Sequence, residues 1–340
     1  MLNISLKLDG VAYKGWTEAY ISRSIEQMAG AFRLFVADKQ DVRIYNGQAC
    51  QVIFEGEVLV NGHINRTEKT ISEENVSLSL IGRDLSGDLV DCSAVINGGG
   101  KLYDLTLSEV IQKLTVGFKV PHKVKAGNSL KHDVSAEHNT IFDVIEKCCR
   151  KAGVLIMPDG KGGFVVDNVG VKRAGVSLVM GKNILSADLE DNNEDRFSIY
   201  HAKSQDYGAD TTEAEALSLP QATSYDRDIK RYRPLVFQPE DSYNEEDLNK
   251  RAQWESAIRA ARAQSMRIEV SGWRQNLDKG ALWDVNMLVP VKIPNDDIDS
   301  MMLIKAVEFS YNENEGAKTT LSLVHPDSYI KEPIIEKREI

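Results

Sequence analysis

Apolar and other side chains alternate residue by residue from Phe32 to Ala37, and again from Val76 to Ile81. A period of two places Phe32, Leu34 and Val36 on one side of an extended chain, with Arg33, Phe35 and Ala37 on the other. Val76, Leu78 and Leu80 separate from Ser77, Ser79 and Ile81 in the same way. Turn signals at Asn46-Gly47, Glu55-Gly56 and Asn61-Gly62 punctuate the strand-like pieces. Many short strands without a long helix predict a small barrel or sandwich over residues 1–95. Alternation returns near the C-terminus in Met266, Ile268 and Val270, and in Leu321 and Leu323.

Between these β-rich ends the period changes. Asn97-Gly98-Gly99-Gly100 marks a break in composition. Thr106 and Glu109 have capping-box spacing, and Leu107, Val110, Ile111 and Leu114 form a helical stripe behind them. A second helix is predicted from about Thr140 to Lys151, with Gly153 as its stop. Residues 155–166 read as two strands joined by a glycine-rich turn. The segment 211–228 reads as a long connection. Ser242 and Glu245 then predict the start of the longest helix, over 243–265, carrying Trp254, Ala257, Ile258 and Ala261 on one face. A weak echo relates 76–91 to 266–285: each runs from an alternating strand through a glycine and a polar turn to an apolar return. It hints at two related β-domains.

The chain has 340 residues, 42% apolar and 27% charged, as expected of a globular protein with two or three domains. No run of about 18 apolar residues is present, so no spanning helix is predicted. The start, MLNISLKLDG, lacks the basic and apolar regions of a signal peptide, which predicts synthesis and folding in the cytoplasm of the producing cell. Cys50 and Cys92 lie far apart, Cys148 and Cys149 are adjacent, and no CxxC occurs, so reduced and mostly buried thiols are expected. A net charge of −10 argues against a broad nucleic-acid-binding surface. The densest basic stretch, Arg227–Arg233, is interrupted by aspartate and reads as a solvated loop. So does acidic 188–196, which lacks the ligand order of an EF-hand.

Catalytic motifs are missing. There is no GxSxG, no HExxH and no pair of histidines at helical spacing. Asn97–Lys101 lacks the phosphate-loop spacing and has Leu102 where Ser or Thr belongs. The sequence implies no cofactor and no metal. Trp273 and Trp283, flanking a turn at Asp278, Lys279 and Gly280, admit three readings: core filling, a grip on a protein partner, or a sugar platform.

Taken together, 24–39, 82–94, 181–205, 233–237, the Trp254 helix, 272–291 and 303–329 resemble one family. It is that of the central hub proteins of contractile phage tail baseplates, the Mu-type or late control D proteins. GRD…DLVDCSA, beginning at Gly82, Arg83 and Asp84, and GW…G.LW, containing Trp273 and Trp283, carry the likeness most specifically. Gly82, Arg83, Asp84, Trp254, Trp273 and Trp283 are therefore the structural or interface candidates. The resemblance implies an α+β, mainly β fold with two tube-like barrels. On this division 1–95 with 180–205 form the first barrel, 96–179 an inserted α/β domain, and 206–340 the second barrel with its linker and helix. It further implies a homotrimeric ring in the virion, assembled in the host cytoplasm. The ring would join a threefold central spike to a sixfold tail tube and to other baseplate proteins, with DNA as a transient passenger and no membrane insertion. The alternative function is a carbohydrate-binding adhesion module using Trp273 and Trp283. A cell-wall hydrolase is a third reading, for which the sequence offers no catalytic set.

Overall fold

The computed structural model describes residues 2–37, 44–72, 76–96, 100–136, 138–204, 220–239, 244–276 and 280–330. The Asn97–Gly99 break, the first half of the 211–228 connection, Ser242 and the turn residues Asp278 and Lys279 lie outside them. The chain divides into two compact units, 1–188 with 266–323, and 189–265 with the segment from 324.

The first unit is built on one large sheet. Its N-terminal strands are β1 (Ile4–Leu8), β2 (Val11–Tyr13), β3 (Glu18–Ser24), β4 (Ala31–Ala37), β5 (Ala49–Phe54), β6 (Glu57–Ile71) and β7 (Val76–Asp84). Alternation sets the inward face: Phe32 and Leu34 of β4 are buried, while Arg33 is exposed. Glu55 and Gly56 form the β5–β6 turn, both at positive φ. Asn61-Gly62 instead lies within β6. The reason is space, since a Cβ on Gly62 would sit 1.8 Å from the Arg83 carbonyl oxygen on the neighbouring strand. Glycine here marks close backbone approach rather than a turn.

After α1 (Gly87–Asp91) comes an α/β lobe: β8 (Lys101–Thr106), α2 (Leu107–Thr115), β9 (His122–Val124), β10 (Lys131–Ser135), α3 (Ile141–Ala152), β11 (Leu155–Pro158) and β12 (Phe164–Asp167). Both helices open on capping boxes, Thr106 with Glu109 and Thr140 with Asp143, and Gly153 closes α3 in the left-handed conformation. The apolar stripes of α2 and α3 meet in one cluster, which also takes in Met28 from the β3–β4 connection and Leu89 from α1. Cys50, Cys148 and Cys149 are buried, whereas Cys92 is exposed.

The chain then re-enters the sheet through β13 (Lys172–Arg173), β14 (Leu178–Val179) and β15 (Ser186–Asp191). Residues 188–191 are thus strand and not part of an acidic loop. The second unit follows. It holds β16 (Ile199–Lys203), β17 (Gln221–Tyr225), β18 (Pro234–Phe237) and α4 (Glu245–Arg262). Strands β17-β16-β18 make a three-stranded sheet, against which Leu248 and Ala252 of α4 pack on Ala202. The cap of α4 is Asn244, whose side-chain oxygen accepts from the Asp247 N–H, rather than Ser242. Beneath the sheet, Arg196 donates to both carboxylate oxygens of Asp226 at 3.0 and 3.1 Å, and both side chains are buried. Finally β19 (Gln264–Ser271), β20 (Met287–Ile293), β21 (Ile298–Asn312) and β22 (Gly316–Val324) complete the large sheet.

Its strand order, β15-β19-β22-β21-β3-β4-β7-β6-β5-β1-β2 with β20 also on β21, contains the same arrangement twice. The series β3-β4-β7-β6-β5 recurs as β15-β19-β22-β21-β20, and in each the strands follow one another along the chain in the same sequence. Each copy contains a strand of 15 residues, β6 or β21, in the equivalent place. The echo of 76–91 in 266–285 therefore detects a real repeat but matches the wrong strands: β7 corresponds to β22, and β19 to β4. The two copies are fused through β3 and β21, paired antiparallel from Glu18↔Asn312 to Ser24↔Ala306.

Candidate functional site at the junction of the sheet halves

The GRD motif ends β7, where three backbone segments converge. Gly82 leaves no room for a side chain, because a Cβ would lie 2.3 Å from the His63 carbonyl oxygen and 2.5 Å from the Phe32 ring. Arg83 pairs with Asp91 of α1 and so ties the strand to the helix that follows. Asp84 turns inward. Its carboxylate accepts the Gly30 N–H at 2.8 Å and the Asn61 N–H at 3.1 Å, clamping the start of β4 to β6. Burial raises the Asp84 pKa to about 6, against the opposing pull of the two amides and of Arg23.

Arg23 is the residue that sequence reasoning missed. It is buried, it donates to the Leu59 carbonyl at 2.7 Å, and it lies 3.6 Å from the Asp284 carboxylate. Gly160 of the α/β lobe rests on its guanidinium, which a Cβ there would approach to 2.6 Å. One side chain thus links β3, β6, the loop before β20 and the lobe. The turn at 159–163 adds two bonds, Asn61 Nδ2 to the Lys161 carbonyl at 3.2 Å and Ser86 N–H to the Gly162 carbonyl at 3.2 Å. A signal for Arg23 does exist in the sequence. It falls in phase with Ala19 and Ile21, the inward set of β3, where an unpaired cation would be costly.

The tryptophan loop closes the same junction from the C-terminal half. Trp273 is 2% exposed; its ring lies 4.8 Å from Phe54 and 5.3 Å from Phe309, and its indole N–H donates to the Ser310 carbonyl at 2.8 Å. Trp273 is therefore wedged between the N-terminal hairpin and the C-terminal long strand. Beside it, Arg274 bonds Glu55 at 3.0 Å and pairs with Glu57 at 2.7 Å, both at the β5–β6 turn. Trp283 is 1% exposed, and its indole N–H has no partner among the described residues. With both rings enclosed, neither offers a face on which a sugar could stack, so the adhesion reading loses its platform.

Trp254 is separate, in the second unit. It is partly buried, donates to the Ile330 carbonyl at 3.0 Å and carries the Arg251 guanidinium 4.4 Å above its ring. It borders a 450 Å³ cavity with Glu190, Glu255, Arg259 and Arg262. The structure brings Gly82, Arg83, Asp84, Trp273 and Trp283 into the first unit, where Arg23 and Asp284 join them. The arrangement holds segments together.

Comparison with known proteins gives the same direction throughout. The model of the N-terminal domain of Mu phage baseplate assembly protein GpP-like proteins matches residues 3–84. That of the second domain of baseplate hub protein gp44-like proteins matches 86–168, and that of the fourth domain of Mu phage baseplate assembly protein GpP matches 245–332. The chain is 26% identical to the baseplate hub protein gp44 of Escherichia phage Mu, across 96% of this chain and 89% of that protein. The 43 kDa tail protein of prophage MuSo2 from Shewanella oneidensis is 31% identical with a TM-score of 0.84, across 96% of this chain and 99% of that one. The tail protein from Neisseria meningitidis MC58 shares the fold at 22% identity and a TM-score of 0.76, across 96% and 98% of the two chains.

Proposed function

The chain belongs to the family of Mu-like phage baseplate hub proteins, and from that premise we propose that three copies close into a ring at the tip of the tail tube. It is a structural component of the virion tail, and in this reading it has no catalytic duty. The ring docks a threefold central spike on one side and a sixfold tube on the other, contacts other baseplate proteins, and is assembled in the host cytoplasm before joining the particle.

One observation supports this reading above the others: the strand arrangement present twice in a single chain. Three such chains present six similar β-modules, which is what a mediator between threefold and sixfold partners requires. The stiff Arg23, Asp84 and Trp273 junction holds the two modules in one fixed relation. DNA leaves through the bore. At −10 per chain, three copies carry about −30, and an acidic wall repels phosphate and keeps the passing duplex from adhering.

Gold-labelled antibody against this chain, applied to opened tail particles, tests the placement. Label confined to the baseplate end of the tube is expected; label along the tube or on side fibres would refute it.

A further inference from the structure

The small sheet of the second unit has one covered face and one open face. Leu248 and Ala252 of α4 pack on Ala202 from one side of β17-β16-β18. Pleating sends the alternate residues to the other side. Register sets them there in rows: Tyr225 beside Ile199 beside Pro234, and Thr223 beside His201 beside Val236. Tyr225 is 64% exposed and Val236 55%. The His201 ring is held by a 2.9 Å hydrogen bond between Nδ1 and the Thr223 hydroxyl.

The connection from β17 to β18 crosses the end of the sheet at the Tyr225 row and carries the densest basic stretch of the chain. Its two aspartates are engaged internally. Asp226 is buried against Arg196, and Asp228 meets the same guanidinium at 3.3 Å. Arg233 is engaged too, donating to the Asn193 and Glu194 carbonyls at 3.4 and 2.7 Å. Arg227, Lys230, Arg231 and Tyr232 stay exposed, Tyr232 at 79%. Lys203 adds an exposed cation at the other end of β16. The overall charge of −10 does not decide what binds here, because salt screens exposed charges beyond about 8 Å under physiological conditions.

We propose that this face binds single-stranded nucleic acid, with Tyr225 and Tyr232 as stacking platforms for bases and Arg227, Lys230 and Arg231 as contacts to phosphates. The site lies within the second unit and is independent of the ring reading. An exposed aromatic ring on a sheet accepts any base, since every base has a π-face. Cations gathered at one end neutralise the backbone that carries those bases. An acidic peptide would satisfy the cations but makes no comparable use of two solvent-facing rings. A duplex offers phosphates but keeps its bases in its own stack.

Fluorescence anisotropy of a labelled oligodeoxythymidine of about 12 nucleotides, titrated with the full chain, is the test. Binding is expected with a salt slope of about −2, from three phosphate contacts at about −0.7 each. Tyr225→Ala and Tyr232→Ala should each weaken it about fivefold or more. Arg227→Glu combined with Arg231→Glu should abolish it. Tyr20→Ala, which removes an exposed tyrosine of the first unit, should leave it unchanged. All of these side chains are exposed, so the variants are expected to fold, and circular dichroism melts check that they do. A duplex of the same length should bind less tightly. No binding at low salt overturns the proposal. So does binding that ignores both tyrosines, equal affinity for the duplex, or equal displacement by polyglutamate, each of which marks a site for polyanions in general. None of these results bears on the antibody placement, so the hub reading stands or fails separately.

Discussion

Trp273→Ala removes the wedge between the two halves of the sheet, and its cost can be worked from the geometry. The side chain is 2% exposed, so truncation deletes a fully buried indole. Large aromatic-to-alanine changes in a core cost about 3–5 kcal/mol. The contacts with Phe54 and Phe309 are of the aromatic kind that contributes about 0.5–1.5 kcal/mol each beyond area. The Ser310 carbonyl is left without its donor, which adds about 1 kcal/mol. These terms overlap, and the expected loss is about 4–6 kcal/mol, a large part of the stability of an ordinary domain. Urea unfolding followed by far-ultraviolet circular dichroism measures it. Trp273→Phe serves as the milder variant, keeping most of the ring packing and losing the indole hydrogen bond, at about 1–2 kcal/mol. A Trp273→Ala protein within about 1 kcal/mol of wild type, with an unchanged denaturant slope, would refute the wedge.

Trp283→Phe should cost less than Trp273→Phe in the same assay, because only the Trp273 indole N–H is bonded. Gly62→Ala should destabilise by about 3 kcal/mol in thermal melts, since the new methyl meets the Arg83 carbonyl oxygen at 1.8 Å. Asp84 has a folded pKa of about 6, above its unfolded value, so it favours folding below the unfolded pKa, and that stability is lost as pH rises through about 6. Urea midpoints measured from pH 7 down to 4 should show wild type gaining about 2 kcal/mol over Asp84→Asn. Arg196→Met leaves the buried Asp226 carboxylate unpaired and should cost about 3–5 kcal/mol, read as a lowered melting transition.

The strands and capped helices were legible because their signals are local. Alternation marked β4 and β7, and Thr106, Thr140 and Gly153 marked helix ends. The absence of catalytic motifs and the resemblance carried by Gly82, Arg83, Asp84, Trp273 and Trp283 pointed to a structural hub of mainly β fold. What stayed hidden depends on pairings distant in sequence. Gly62 looked like a turn because its neighbour, Arg83, is known only once β6 and β7 are in register. Arg23 gave a phase signal, but its partners Leu59, Asp284 and Gly160 are spread along the chain. The repeat was sensed and misaligned because what recurs is strand order, which side-chain patterns record only faintly.

The proposed hub is a threefold ring built from six β-modules. Electron cryomicroscopy of assembled tail ends, reconstructed without imposed symmetry, tests it most directly. Three copies of this chain around an open axial bore are expected, each contributing two modules, with the tube on one face and the spike on the other. A different copy number, or density for this chain away from the tail axis, would contradict it.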